Sequence, residues 1–430
     1  MSDVRVRFAP SPTGRLHLGG ARTALFNHLF ARYHGGDLIL RIEDTDRARN
    51  REEFEQDLLD SLDWLGISFD EGPYRQSERG ELYEQAAAHL SDKGLTYEAE
   101  DEEGRIALYF RPPQRSGSFS DELRGEVSFG KVKDFVLIKS DSTPSYNFAA
   151  VVDDHEMGVT HFIRGEEHLS NTARQVLLHR ALGFEEPDFV HLGLILGPDG
   201  KKLSKRHGDA SVAEYRRDGY LPEALVNYLA LLGWNHPEGK EEFADLEELT
   251  AQWDPTRLGA SPATFDLERL ISLNARHVRQ LPAEELRRRL EPFLDEPLPS
   301  GRELETIEAI REDMRLLSDA PRLLRELLEP VDPGSFVGEL PESSDEIFAH
   351  AAEVLEGRRL DGLEEAQELV GELRAWAKER GIKTRDLLHP LRLALTGKNR
   401  GPEMARLFVV LGADEAKQRI ERAREARLEA

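Results

Sequence analysis

Apolar and polar positions follow two rhythms along this chain, and the change between them divides it. Over roughly the first 95 residues, runs such as VRVRF (4–8) and DLILRIE (37–43) are interleaved with stretches of helical period. One such stretch covers 21–34, with apolar residues at 25, 26, 29, 30 and 33, and another is REEFEQDLLDSLDWLG (51–66). This alternation predicts a parallel, doubly wound sheet with crossover helices. A helix starting near Ala21 would end at Gly35 and Gly36, because glycine enters left-handed conformations at little cost.

From Tyr97 to Lys133 the pattern breaks into pieces such as EAEDEEGR and RPPQRSGSF, which predict an insertion of short strands or loops. Strand signals return at FVLIKS and THFIRG. SNTARQVLLHRALG reads as a helix with Ser170 as N-cap and Gly183 just past its end, and DFVHLGLIL as a further strand. After GPDGKKLSKRHG (197–208) strand signals almost vanish, and LPEALVNYLALLGW, ATFDLERLISLNARHVR, SDEIFAHAAEVLEG and GPEMARLFVVLG carry helical spacing. Trp376 and Phe408 read as core positions of that helical half.

Composition narrows the function. At 430 residues, several domains are expected. No apolar run approaches the ~18 residues of a membrane span, and the start MSDVRVRF lacks a secretion signal, which points to the cytoplasm. The absence of cysteine excludes disulfides, thiol catalysis and cysteine-ligated zinc. A net charge of −25 argues against a general nucleic-acid coat, although local RNA readout remains open. The basic stretches at 275–290 and 383–400 are its candidates, and each alone also fits a solvated helix face.

Two stretches carry candidate chemistry. In RFAPSPTGRLHLGG (7–20), Gly14, Gly19 and Gly20 permit close backbone approach to a ligand, the following helix start offers free N–H groups to phosphate, and His17 can donate to a phosphate oxygen. It is neither a Walker loop nor GxGxxG, and alone it is weak. In GPDGKKLSKRHG, Lys201, Lys202, Lys205 and Arg206 surround Ser204 on a glycine-flanked loop able to close on a polyphosphate.

HLGG and KLSKR together resemble the two signature motifs of class I aminoacyl-tRNA synthetases. RFAPSPTGRLHLGGARTALFN, RIEDTDRAR, PYRQSER, YNFAAVVDDHEMGVTHFIRGEEHLSNTARQ and LPEALVNYLALLGW are similar to the glutamyl-tRNA synthetases. The resemblance implies a Rossmann-like sheet split by a short connective insertion, then an all-α anticodon-binding region. On it the chain divides into 1–96 and 134–205 (catalytic halves), 97–133 (insertion on the acceptor-stem side), 206–282 (helical stem-contact domain) and 283–430 (anticodon-binding domain). It implies ATP with Mg2+ carried by the nucleotide rather than by a protein metal site, L-glutamate and tRNA(Glu) as partners, and a monomer, while the lack of cysteine leaves no protein-bound zinc expected where members of the family carry a cysteine-rich insertion. By the same resemblance, His17, Gly19, Gly20, Glu167 and His168 contact ATP, and Lys202 and Lys205 stabilise the leaving pyrophosphate. Arg7, Ala9, Ser11, Glu43, Tyr146 and Arg164 match the amino-acid pocket. Arg7 or Arg164 against a carboxylate would explain selection of glutamate over glutamine.

The chain departs from the family in three places. The insertion is short, which puts its acceptor-stem contacts in question. Ala150 replaces a substrate-contacting asparagine, and the arginine with which some members reject the glutamine anticodon falls on Asp313, leaving open that tRNA(Gln) is charged too. A glutaminyl-tRNA synthetase would have a β-rich anticodon region, and a paralogue that glutamylates queuosine would lack the C-terminal third. A catalytically silent RNA-binding protein would not need intact HLGG and KLSKR.

Overall fold

A computed structural model describes residues 4–46, 49–100, 104–203 and 211–429. The chain forms two compact units, the first ending at Leu273 and the second starting at Asn274. Among the described residues no helix is long and apolar enough to cross a membrane.

The first unit opens with β1 (Arg5–Phe8), α1 (Leu18–His34), β2 (Asp37–Ile42), α2 (Glu52–Trp64), β3 (Glu71–Arg75) and α3 (Gly80–Asp92). β1 pairs in parallel with β2, from Arg5 opposite Asp37 to Phe8 opposite Leu40, and β2 pairs in parallel with β3. Helix α1 is buried on several sides, through Leu18, Leu25, Phe26 and Leu29 but also through Arg22, Asn27 and His28. Its C-cap is Gly35 in the left-handed region at φ 61°, as the pattern predicts. Its start differs: the helix begins at Leu18 with His17 as N-cap, three residues earlier than the apolar spacing suggests, so Gly19 and Gly20 lie in its first turn.

The middle of the chain supplies β4 (Thr96–Glu100), β5 (Ile106–Phe110), β6 (Gly117–Asp121), β7 (Gly125–Phe129) and β8 (Phe135–Ile138). FVLIKS does not rejoin the parallel sheet. As β8 it pairs antiparallel with β5, whose other edge holds β4, because its Leu137 joins Phe110 of β5 in the core that α3 covers.

Next come α4 (Tyr146–Glu156), β9 (His161–Gly165), α5 (Leu169–Leu182) and β10 (Asp188–Leu192). β9 and β10 are parallel, and β10 continues into β6 through Phe189 opposite Asp121, so part of the insertion extends the catalytic sheet. β1 lies beside β9, with Thr160 N–H donating to Arg5 O at 2.9 Å. Ser170 is not an N-cap: a 3-10 turn over Glu166–His168 starts the helix earlier, and Thr172 Oγ1 lies 3.1 Å from His168 O. Gly183, at φ 79°, caps the other end as expected.

The second unit is helical, over Ala283–Leu290, Glu303–Ile310, Ala320–Leu328, Ser344–Leu355, Leu363–Glu379, Thr384–Thr396 and Met404–Glu429. The last of these bends at Gly412 (φ 78°, ψ 166°). Buried Arg419 donates to the carbonyls of Leu395 (2.6 Å) and Leu327 (3.2 Å), satisfying groups that helix ends leave without partners. Phe408 is fully buried. Trp376 is not a core residue; it is half-buried between His350, stacked at 4.4 Å, and the Arg380 guanidinium at 4.5 Å.

Candidate active site

The carboxyl ends of β1 and β9 open on one cleft of about 350 Å³, at the point where the chain leaves toward β2 on one side and β10 on the other. Parallel α/β sheets bind ligands at such reversals. Arg7, Ala9, Ser11, His17, Gly19, Gly20, Glu43, Tyr146, Arg164, Glu167 and His168 all line it, and these eleven positions come from four separate stretches of sequence.

The nucleotide side is built by the start of α1. The first helical hydrogen bond runs from Ala21 N–H to His17 O at 2.9 Å, so the N–H groups of Leu18, Gly19 and Gly20 have no partner inside the helix. A methyl group at Gly14 or Gly19 would meet nothing within 4 Å, so both face open space that a phosphate can fill. At Gly165 the reverse holds: an added Cβ would lie 2.1 Å from Glu167 Oε2, so glycine lets that carboxylate fold back over β9.

Lys202 is 65% exposed on its side chain and reaches Glu167 Oε1 at 3.5 Å. Leu16 accepts from Val212 N–H at 2.8 Å, and His17 bridges to Ser211. The loop that leaves at Leu203 therefore returns beside His17. Lys205, with Ser204 and Arg206, lies outside the described residues.

The opposite side holds a buried charge network. Arg7 donates through Nε to Asp154 Oδ1 at 3.0 Å, and its guanidinium lies 4.2 Å from the Phe162 ring. Arg41 Nη1 reaches the same oxygen at 2.6 Å, while Nη2 reaches Glu43 Oε1 at 3.1 Å. Burial works against the Asp154 charge, but Arg41 and Arg7 outweigh it and hold the carboxyl below its ordinary range. Burial pushes Glu43 up, against the pull of Arg41. Asp153, next in sequence, accepts from Arg79 Nε and Gln76 Nε2, both at 2.7 Å, and from Tyr83 Oη at 2.8 Å.

Arg164 is different. It donates to Gln175 Oε1 (2.6 Å), Thr172 Oγ1 (2.7 Å) and His191 Nε2 (3.4 Å), and among the described residues it forms no ion pair. Burial lowers its pKa to about 10, which still leaves it cationic at neutral pH. Arg7, Arg41 and Arg79 are matched by the carboxylates of Glu43, Asp153 and Asp154, and among the described residues Arg164 alone of these guanidiniums has no carboxylate partner. Beside it His168 is held neutral, lowered to about 4 chiefly by burial and then by Arg164, with Tyr146 Oη 3.3 Å from its Nδ1.

The supporting residues Arg41, Asp154, Thr172, Gln175 and His191 were not singled out in the sequence. A faint signal existed for two: Arg41 interrupts an otherwise apolar strand, and Asp154 sits in the buried run AAVVDD.

The catalytic-domain model for class I tRNA synthetases (E and Q) matches residues 3–112 and 98–272, and an anticodon-binding-domain model matches 285–424. The chain is therefore a class I aminoacyl-tRNA synthetase, with the split parallel sheet and helical C-terminal unit of that class. Within the class it belongs to the glutamate–tRNA ligases. It is 67% identical to a Glutamate–tRNA ligase 1 of Rubrobacter xylanophilus, over 100% of this chain and 99% of that one. It is 39% identical to a glutamate–tRNA ligase of Desulforamulus reducens, over 98% and 99%. A crystal structure of a glutamate tRNA ligase from Elizabethkingia meningosepticum, in complex with its amino acid, superposes with a TM-score of 0.86 at 30% identity, covering 98% of this chain and 99% of that chain.

Proposed function

We propose that this enzyme joins L-glutamate to ATP as glutamyl-adenylate, releasing pyrophosphate, and passes the glutamyl group to the 3′ end of tRNA(Glu), releasing AMP. The observation that carries the amino-acid assignment is the uncancelled charge of Arg164 in the cleft. A glutamate side-chain carboxylate completes that ion pair, whereas the neutral amide of glutamine leaves a buried guanidinium unpaired. Glu43 and Ser11 take the α-amino group, and Ala9, Tyr146 and Arg7 shape the rest of that pocket.

The substrate α-carboxylate attacks the α-phosphorus of ATP, and no covalent enzyme intermediate is required. His17 and the free N–H groups of Gly19 and Gly20 hold the triphosphate, Glu167 and His168 flank the adenosine, and Lys202 and Lys205 take the charge that builds on the leaving pyrophosphate. Catalysis is positioning plus charge stabilisation. Mg2+ enters with the nucleotide and supplies charge neutralisation of the phosphates. We assign 97–133 to the acceptor side, 206–282 to stem contacts and 283–430 to the anticodon, in a cytoplasmic monomer.

A wider tRNA choice is favoured by one observation: Asp313 lines an open groove with Asn399 and Arg400, beside Arg322 and Lys398, which pair with Glu326, so the residue at the discriminating position lies next to an amide and a guanidinium able to meet RNA. In contrast, Arg287, Arg288 and Arg289 are tied to Glu284, Glu285 and Glu291 and form a solvated helix face. The test is charging of tRNA(Glu) and tRNA(Gln) transcripts with labelled glutamate and Mg-ATP. Charging of tRNA(Glu) supports the ligase reading, charging of both supports the wider one, and charging of neither removes both.

A further inference from the structure

We propose that Asp121 and His191 are positioning residues that hold Arg164 in place without cancelling its charge, by fixing the His191 ring in the tautomer whose Nε2 accepts. The inference rests on the reading of Arg164 as the group that faces the glutamate side chain.

Orienting a buried guanidinium is simplest with a carboxylate, as Asp154 does for Arg7. That solution would neutralise the one charge the pocket needs for an acidic substrate. Every partner of Arg164 is instead a neutral acceptor: Gln175 Oε1, Thr172 Oγ1 and His191 Nε2. Of these only the histidine can lose its acceptor at that atom altogether, by carrying its proton there.

Asp121 decides which. Its Oδ2 lies 2.6 Å from His191 Nδ1 and accepts the His191 backbone N–H at 3.1 Å. Its Oδ1 accepts from the N–H groups of Leu123 and Arg124, both at 3.0 Å. A carboxylate so engaged offers only acceptors, so the ring proton must sit on Nδ1. Nε2 is then a lone pair that accepts the single Thr172 hydroxyl proton at 2.8 Å, in preference to His168 O at 3.1 Å, and faces Arg164 Nε at 3.4 Å. Both aspartate and histidine are fully buried, and burial keeps the ring neutral despite the aspartate. The opposite tautomer would aim an N–H at the donors of Arg164 and displace it. An aspartate holding a histidine tautomer is a known device where a reactive group depends on the other ring nitrogen.

Asp121 ends β6, within the segment read from sequence as an insertion. Its neighbour Arg124 donates to Glu166 Oε2 at 2.5 Å and to His191 O at 3.3 Å, so this hairpin is stitched into the rim of the pocket. The short insertion thus serves amino-acid selection as well as any contact with RNA.

The test is steady-state charging of tRNA(Glu) by the full chain, varying glutamate and then ATP, with the glutamate-over-glutamine ratio of kcat/KM. Asparagine at 121 can satisfy the backbone donors or His191 Nδ1–H, but not both. Asp121→Asn and His191→Leu are expected to raise KM for glutamate roughly tenfold or more, to lower the selectivity ratio, and to leave KM for ATP within about twofold. His191→Gln, whose amide oxygen can take the place of Nε2, is expected to stay within about threefold of the parent for glutamate. Unchanged glutamate KM in Asp121→Asn and His191→Leu overturns the proposal, as does a parallel rise in both KM values. If Asp121→Asn does not fold, the contrast between His191→Leu and His191→Gln decides alone. Arg164→Ala separates the two levels: no effect on glutamate KM defeats the pocket reading itself, whereas a large effect there with none at 121 and 191 defeats only the relay.

Discussion

Arg7 and Asp154 lie side by side with both side chains buried, Nε to Oδ1 at 3.0 Å and Nη2 to Oδ2 at 3.5 Å. Asp154 simultaneously binds Arg41, which has no solvent exposure at all. Removing one partner of a buried pair leaves an uncompensated charge, at a cost of about 3–5 kcal/mol. Asp154→Ala is therefore expected to lower the unfolding free energy by that amount in a urea titration. A loss below about 1 kcal/mol would show that water reaches the site and that the network is not held as described.

The same pairing sets an order between two arginines. Arg7 already has its carboxylate, whereas Arg164 does not. Arg164→Ala is expected to reduce the glutamate-over-glutamine ratio of kcat/KM by more than Arg7→Ala does, because only Arg164 charges for a missing carboxylate. Equal ratios in the two variants, measured with both amino acids, would count against the assignment.

What the sequence made legible follows from how locally each feature is specified. HLGG is a strand-to-helix turn whose function depends on adjacent residues, and glycines at 35 and 183 end their helices because a left-handed residue is needed there. The distant partners were not legible, since Asp154 is 147 positions from Arg7 and Asp121 is 70 from His191, whereas Glu43, two positions from Arg41, was already a candidate. Alternation gives β8 as a strand but not its neighbour: β5, rather than the parallel sheet, receives it. Ser170 misled because a 3-10 turn already satisfies the helix start, so no side-chain cap is needed.

The KLSKR loop leads to a kinetic prediction. Among the described residues the Lys202 ammonium is held only by an exposed contact with Glu167, and the chain returns beside His17, so the loop's ends are anchored at the nucleotide cleft. Lys205→Ala is expected to slow single-turnover glutamyl-adenylate formation at least tenfold while changing ATP affinity by less than about threefold, since charge grows on the pyrophosphate only as the bond breaks. Near-normal single-turnover rates would remove Lys205 from that role.

Acid sensitivity of the fold should trace partly to His179. It is buried against Phe162 and Phe184, and burial lowers its pKa to about 4. The unfolded chain binds its proton near pH 6.5, the folded chain only near 4, so stability falls as pH drops through that window. At pH 5 the difference amounts to about 2 kcal/mol. His179→Leu should lose less stability than the parent between pH 7 and pH 5, and parallel denaturation curves for the two proteins would exclude His179 as a cause.

The anticodon side yields the last prediction. Asp313 shares its groove with Lys398, Asn399 and Arg400, and a carboxylate there presents only acceptors. The glutamate and glutamine anticodons differ at their third base, cytosine against guanine; on the pairing edge of a splayed-out base cytosine offers mainly acceptors (O2, N3) and guanine mainly donors (N1–H, N2–H). An arginine presents only donors, in a fixed fork, and adds positive charge to a groove that already carries Lys398 and Arg400. Asp313→Arg is thus expected to cut charging of tRNA(Gln) roughly tenfold or more while leaving tRNA(Glu) within about threefold, one well-read base being enough for that contrast. An equal fall for both tRNAs would mean that the substitution disturbs the groove rather than its readout, and no change in either would place the discriminating base elsewhere on the helical unit.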